Sequence, residues 1–389
     1  MAFLCACSFV PVGDPVETSL PVSSSVSYTK IAEPLEDFSR TSPTDFVGEA
    51  GALLSAPEQE LYEQMASHAL LISSAQDPDL ERYPLKRIQI EQALSDAEIS
   101  RTFEAFINDF PQYFWISAHY QFGTTEKSTV IQLYSEISPE VCTEKIKELE
   151  KEVSEILDGM DVSLSDLQRE LFLYRAILER CVYDDTSPDW ESYTLYGALV
   201  DGSAVCEGYA RAVQQLFRLA GIPCRVVSGT AEGELHMWNL VEIGGEWYHL
   251  DATWGDSSPL STYFYFNLTD EAIRWDHTIS TEGLPPCESE EANYFCTFAI
   301  PVSGFSGFSL DSLSDGIAAC LSRGDSILLF RVDETLDFDE AVDRLLKPEG
   351  NLLSDALADA TIKTDPSLTY TTFTYSLAPQ IRGIAVCLE

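Results

Sequence analysis

Three residues in the middle of the chain have the types and the order that acyl chemistry needs: Cys206, His236 and Asp251. Val205, Tyr209, Ala212, Val213, Leu216, Phe217 and Ala220 recur at helical spacing and form one apolar face of a helix that Gly221 and Pro223 stop. Cys206 falls in the first turn of that helix, just after Asp201-Gly202-Ser203. Backbone N–H groups without intrahelical partners and the positive end of the helix dipole surround a side chain there. They favour thiolate over thiol and offer donors to an oxyanion. A cysteine in this position is placed to be a nucleophile. The plainer fate of a cysteine is burial as a small apolar residue.

Downstream, Cys224 to Ser228 reads as a strand, His236 to Ile243 as a second, Gly244-Gly245 as a two-residue turn and Glu246 to Asp251 as the return strand. If Ile243 pairs with Glu246 across that turn, Trp238 faces Asp251 and His236 faces Thr253. His236 and Asp251 then leave one face of the ribbon as diagonal neighbours, roughly 7 to 8 Å apart at the backbone and within reach of each other's side chains. An imidazole held by a carboxylate beside a helix-terminal thiol supplies base, orienter and nucleophile.

Four motifs carry a family resemblance: Gly197-Ala-Leu-Val-Asp-Gly-Ser-Ala-Val-Cys206-Glu-Gly-Tyr-Ala, Gly221-Ile-Pro-Cys, His236-Met-Trp-Asn and Trp247-Tyr-His-Leu-Asp251-Ala-Thr-Trp254. In this order they resemble the bacterial transglutaminase-like domains, and the likeness continues to Tyr265-Phe-Asn-Leu and Asp276-His277. It covers about Leu167 to Thr278. The stretch from Phe110 to Leu157 resembles the domain that often precedes it in secreted bacterial members. The resemblance implies a papain-like α+β core, a nucleophile helix packed on an antiparallel sheet, with a catalytic triad that falls by position on Cys206, His236 and Asp251. Animal cross-linking enzymes of the superfamily have Trp after the nucleophile where this chain has Glu207. No calcium-loop spacing occurs, so calcium activation is not implied.

Other candidates weigh less. His249 shares the face of Asp251 but faces Leu240, farther from the mouth of the hairpin, and reads as structural. His277 and Trp254 read as closing the site region or packing against it, Trp238 and Asn239 as orienting the base, and His68 and His119 as incidental. Tyr193 and Tyr196 lie upstream at a suitable distance to complete an oxyanion hole, but aromatics there are more often core, and neither is assigned. No Cys-x-x-Cys pair is joined by a second such pair or by a His pair, so no metal or cofactor is expected. Asp184-Asp185 and Glu288 to Glu291 read as solvated surface.

The elements that must hold this site lie in a chain of 389 residues, long enough for two or three domains. We expect a signal remnant and flexible tether over 1–50, an N-terminal α+β domain over 51–160, the catalytic domain over 161–300 and a small C-terminal α+β domain over 301–389. Phe103, Phe106, Ile107 and Phe110 share a helical face that Pro111 ends. Tyr113 to Phe122 and Ser128 to Ile137 read as strands around Gly123-Thr124-Thr125. Ser138-Pro139 opens a helix with Val141, Ile146, Leu149, Val153 and Ile156 on one side, ending at Gly159, and Ser165 to Cys181 reads as another. Ile300 to Gly307 looks like a boundary. Beyond it come a strand (Ser326 to Val332), helices (Asp337 to Leu346 and Leu353 to Ile362) and strands (Leu368 to Leu377 and Gly383 to Leu388).

Lys and Arg number 23 against 64 Asp and Glu, a net charge of −41 that repels phosphate backbones and disfavours nucleic-acid partners. No apolar run is long enough to span a bilayer. Leu4-Cys5-Ala6-Cys7 resembles the end of a bacterial lipoprotein signal, which would place a lipid anchor on Cys7 and the chain at the cell surface or outside the cell. The Ser-, Thr- and Pro-rich Val10 to Pro43 would be its tether. In an oxidising compartment some of the ten cysteines would pair, Cys287 with Cys296 being the easiest local choice. The expected activity is thiol attack on an amide of a protein or peptide, cell-wall peptide included. It ends in acyl transfer to an amine or in hydrolysis, and the sequence does not choose between them. The alternative is a catalytically silent cell-surface binding module on the same scaffold.

Overall fold

The computed structural model describes residues 12–15, 26–35, 50–161, 163–186, 188–347, 351–367, 370 and 372–388. Leu4-Cys5-Ala6-Cys7, the lipoprotein-like stretch, lies outside them. The chain divides into two units, Met1–Val226 with Glu234–Met237, and Val227–Gly233 with Trp238–Glu389.

The first unit is mostly helical. Its long helices are α1 (Ala56–Ala69), α2 (Asp96–Asp109), α3 (Pro139–Asp158), α4 (Asp166–Leu178) and α5 (Cys206–Leu219). Serine caps at Ser95, Ser138 and Ser165 start α2, α3 and α4, each oxygen accepting a first-turn N–H. Strands β1 (Val12–Pro15), β2 (Ile88–Ile90), β3 (His119–Thr124) and β4 (Thr129–Gln132) form a sheet in the order β1-β3-β4-β2, with β1 parallel to β3 and the other pairs antiparallel. Within the segment read as a tether, β1 is thus paired, Tyr28–Lys30 pairs with Leu71–Ser73, and Ile31 and Leu35 are buried.

The run from Tyr113 departs from its sequence reading. Strand starts only at His119; before it the chain turns twice, with Tyr113 N–H bonded to Phe110 O and Ile116 N–H to Tyr113 O. Three consecutive aromatics, Tyr113, Phe114 and Trp115, are all buried, which a strand that alternates its side chains could not do against a single core. Tyr113 stacks on Phe110 and Phe114 on Tyr196 instead. On α3 the first turn buries Pro139 and Cys142, whereas Val141 is exposed.

The rest of the chain contributes β5 (Cys224–Ala231), β6 (Glu234–Ile243), β7 (Glu246–Leu250) and β8 (His277–Ile279), in the order β7-β6-β5-β8. In the second unit, Trp238, Leu240, Phe264 and Leu268 share one apolar core with Ala378, Ile381 and Ala385. A second sheet of this unit orders β9 (Ile300–Val302), β10 (Ile327–Val332), β12 (Gly383–Leu388) and β11 (Phe373–Ala378) in that sequence, with α6 (Gly307–Arg323), α7 (Phe338–Leu346) and α8 (Leu352–Lys363). The Ile300 to Gly307 stretch is therefore an edge strand followed by a helix start. The helix α6 escapes a sequence reading because Ser, Asp and Gly, poor helix formers, crowd it. Its buried stripe is Leu313, Ile317 and Leu321, one residue per turn.

Candidate active site

Helix α5 begins at Cys206. Its N-cap Val205 (φ −94°, ψ 179°) has no side-chain acceptor and makes no capping bond. Gly208 lets this first turn descend onto the segment before it, since a Cβ there would lie 2.6 Å from the Ser192 carbonyl oxygen. Val205 N–H donates to that same oxygen at 3.0 Å. Tyr209, Ala212, Val213, Leu216 and Phe217 are fully buried, the stripe expected from the sequence.

The polar face of α5 fixes where the nucleophile's helix points, a role that sequence reading missed. Arg211, Gln214 and Arg218 donate to the carbonyl oxygens of Ile107 (2.6 Å), Asn108 (2.9 Å) and Asp109 (3.0 Å). These are successive carbonyls of the last turn of α2, which have no acceptor role within their own helix. Two of the three donors are guanidinium groups, the right sign for the negative end of a helix dipole. The spacing i, i+3, i+7 of long donors opposite a wholly apolar stripe was the available signal.

The Cys206 side chain is 0% exposed. Tyr183, Tyr193 and Met237 pack against the Val205–Cys206 pair. Met237 follows His236 on β6, and Glu234–Met237 belongs to the same unit as α5, so the start of this strand is delivered to the first turn of the helix. His236 is buried, 3% exposed.

Strands β6 and β7 pair from Asn239↔Leu250 to Ile243↔Glu246, the register read from the sequence. Gly244 and Gly245 close the turn at φ +65° and +89°, the two left-handed residues that a type I′ hairpin requires. Asp251 follows directly on β7 and caps the short helix Ala252–Gly255, its Oδ1 accepting from Trp254 N–H at 3.0 Å. Its Oδ2 lies 3.1 Å from His277 Nε2, and both side chains are fully buried. The sequence reading gave His277 a role in closing the site region or packing against it; the structure puts it in direct contact with the carboxylate.

His249 is structural. Trp238 Nε1–H, which can only donate, lies 2.9 Å from His249 Nδ1, so that nitrogen accepts and the ring proton sits on Nε2, facing Asp270 Oδ1 at 2.9 Å. Burial pushes the His249 pKa down to about 4 against the opposing pull of Asp270. Trp238 is therefore not available to orient a catalytic base through its N–H, as the sequence reading had it, because that group is spent on His249.

The profile of the transglutaminase-like superfamily matches residues 156–252, a window that contains Cys206, His236 and Asp251. Residues 156–252 form a transglutaminase-like domain. The chain is similar to the kyphoscoliosis peptidase of Homo sapiens, 29% identical over 115 residues that make up 26% of this chain and 17% of that protein. It thus spans about a sixth of the length of that relative. Among solved structures it is similar to a TGase (14% identity, 57% of this chain and 59% of that one, TM-score 0.27). It is also similar to the periplasmic domain of TgpA from Pseudomonas aeruginosa (19% identity, 34% and 56%, TM-score 0.21).

Of the two tyrosines considered for the oxyanion hole of the transglutaminase-like domain, Tyr196 is committed elsewhere, its hydroxyl donating to Glu148 at 2.5 Å. Tyr193 stays beside Cys206. A cleft in the same unit is lined by Phe106, Phe110, Phe114, Trp190 and Tyr193, with Glu207, the neighbour of Cys206, in its wall. Cys287 and Cys296 are both thiols. Cys287 is buried in the core, and Cys296 donates to Glu290, so the Cys287–Cys296 bridge expected from spacing is not formed.

Two clusters among the described residues have metal-ligand types; in the one outside the proposed triad, His249, Asp270 and Cys287 have donor atoms within 4.8 Å of one another. That cluster does not suit a cation. A metal on Nε2 would require a proton on Nδ1, pointing donor to donor at Trp238. Burial also pushes the Cys287 thiol up to about 12, and Arg274 stands 3.7 Å from Asp270.

Glu207 replaces the tryptophan of the animal enzymes with a buried ion pair. Arg211 Nε and Nη2 reach its Oε1 at 2.8 and 2.6 Å, and the two residues are 6% and 5% exposed. Burial pushes the Glu207 carboxyl up, and the Arg211 guanidinium pulls it down. Arg211→Met should therefore cost about 3–5 kcal/mol at neutral pH, the usual result of stranding one buried charge. With the guanidinium gone the folded carboxyl titrates above its unfolded value, so the folded state holds its proton while the unfolded state releases it, and the penalty grows as pH rises. Denaturant melts at pH 7 and pH 4.5 should show the gap to wild type narrowing at the lower pH. An equal gap at both would mean that the loss is one of packing alone.

Proposed function

We propose that this protein is a thiol enzyme in which the Cys206 thiolate attacks an amide carbonyl, His236 protonates the leaving amine and Asp251 holds the imidazole tautomer. A thioester forms at Cys206 as the carbon–nitrogen bond breaks, and water or an amine then takes the acyl group. The observation that carries the reading is the β6–β7 register. With Asn239 opposite Leu250, continuation by one step sets Trp238 opposite Asp251, and His236 shares the face of Trp238. The carboxylate and the base then leave the ribbon on one side. The position of Cys206 at the start of α5, with Met237 packed on it, supports the rest.

The substrate in this reading is a protein or peptide amide outside the cell, cell-wall peptide included, which suits a chain with a charge of −41 and a lipoprotein-like start. The curated relative is a peptidase, which favours water over a lysine amine as acceptor. Incubation with a Gln-containing peptide and an amine probe, read by mass, separates the outcomes. Probe incorporation means transfer, ammonia or a cut peptide means hydrolysis, and neither would leave no enzyme to argue for. A second reading, a silent binding module, draws on the 0% exposure of Cys206 beneath Tyr193 and Met237. It predicts that iodoacetamide labels Cys206 no faster than a free thiol at mildly acidic pH.

A further inference from the structure

We propose that His277 is a positioning residue that fixes the Asp251 carboxylate from behind, at the centre of a relay Asp251–His277–Asp276–Tyr265, on the reading that Asp251 is the carboxylate of the thiol site. Both ring nitrogens face carboxylates: Nε2 is 3.1 Å from Asp251 Oδ2 and Nδ1 is 2.5 Å from Asp276 Oδ1. The far oxygen of Asp276 accepts from Tyr265 O–H at 2.6 Å. A neutral imidazole carries one N–H and an ionised carboxylate only accepts. Two carboxylates on one ring therefore require either an imidazolium or a second proton shared with a carboxyl, and in both states Nε2 is held against Asp251.

The surroundings keep the relay rigid and dry. His277 is 0% exposed at its side chain. Trp254, Trp238 and Tyr265 enclose the ring at centroid distances of 4.8, 5.1 and 5.6 Å. Trp254 serves twice, since its backbone N–H also holds the other oxygen of Asp251. Strand pairing aims the ring: His277 opposite Ala231 on β5 starts the edge strand β8. His277 cannot itself be the base that takes a proton from a thiol, because neither nitrogen is open to one. It acts through Asp251. The titratable groups facing it include Asp251, Asp276 and Tyr265, with His236 contributing a ring nitrogen within 4.8 Å of the same cluster and His249 on the same Trp238 indole.

The experiment follows iodoacetamide alkylation of Cys206, peptide-mapped by mass, across pH in the full chain. His277→Gln keeps an N–H donor for Asp251 and removes the ring that the two carboxylates share. It should slow alkylation about 10-fold or more, as losses of partners behind a reacting group do, and should move the acidic limb upward by about one pH unit. Asp276→Asn, at a position farther from the thiol and partly exposed, should shift the limb the same way by less. In an Asp251→Asn background, His277→Gln should add nothing, because the group through which it acts is already neutral. An unchanged limb in both single variants, or an effect of His277→Gln undiminished in the Asp251→Asn background, overturns the proposal. Failure of the underlying reading looks different. Wild type itself would alkylate at a free-thiol rate and Asp251→Asn would not change it, which removes the relay's role with the site.

Discussion

Cys206→Ser should leave a folded chain that forms no thioester. The residue is fully buried at the first position of α5, where hydroxyl and thiol differ little in volume and the helix is held by other groups: the apolar stripe from Tyr209 to Phe217 and the three donors from Arg211 to Arg218. The change conserves volume but places a hydroxyl in a buried site, at a cost of about 1–3 kcal/mol if it finds no partner and less if it does. Reactivity should fall by a factor on the order of 10⁶, as when the nucleophile of a triad is removed, because a serine hydroxyl is not ionised by a helix dipole that suffices for a thiol. Trapping of the acyl-enzyme by mass, together with a thermal melt, reads both quantities. A chain that loses most of its stability while wild type shows no trapped thioester would mark Cys206 as a packing residue and remove the enzyme reading.

What the sequence made legible and what it hid divide by the range of the interactions. The stripe on α5 repeats within one helix, and the Gly244-Gly245 turn admits two left-handed residues and thereby a single register, so the nucleophile's helix and the β6–β7 pairing follow from neighbours in the chain. The contact of Asp251 with His277 depends on β8 joining the sheet beside β5, a choice of strand order made 26 residues later that no local period encodes. The same holds for the donors of α5 to the end of α2, more than a hundred residues apart. Composition misled in two places. Ser and Asp disguised α6, and β-rich aromatics disguised the turns at Tyr113, where burial of three successive rings outweighs strand propensity.

Asp251→Asn should be the second large loss, about 10⁴-fold in rate with the fold kept, by analogy with the tautomer error that the same change causes in serine triads. The structure explains why the fold should survive. In the wild type, Oδ1 accepts from Trp254 N–H and Oδ2 meets His277 Nε2. An asparagine can keep the first bond through its oxygen and donate its amide to Nε2, provided that the His277 proton moves to Nδ1, where Asp276 accepts it. Both of these partners stay satisfied, so on this side of the carboxylate the cost falls on the charge. His236 then loses the acceptor that set its tautomer and the anion that stabilised its protonated form, and the thiolate–imidazolium pair weakens. Alkylation of Cys206 at pH 6 against pH 8.5 measures this directly: the variant should lose most at the lower pH, where the thiolate exists only by virtue of that pair. Equal rates for variant and wild type at pH 6 would show that Asp251 does no more than cap the Ala252–Gly255 turn.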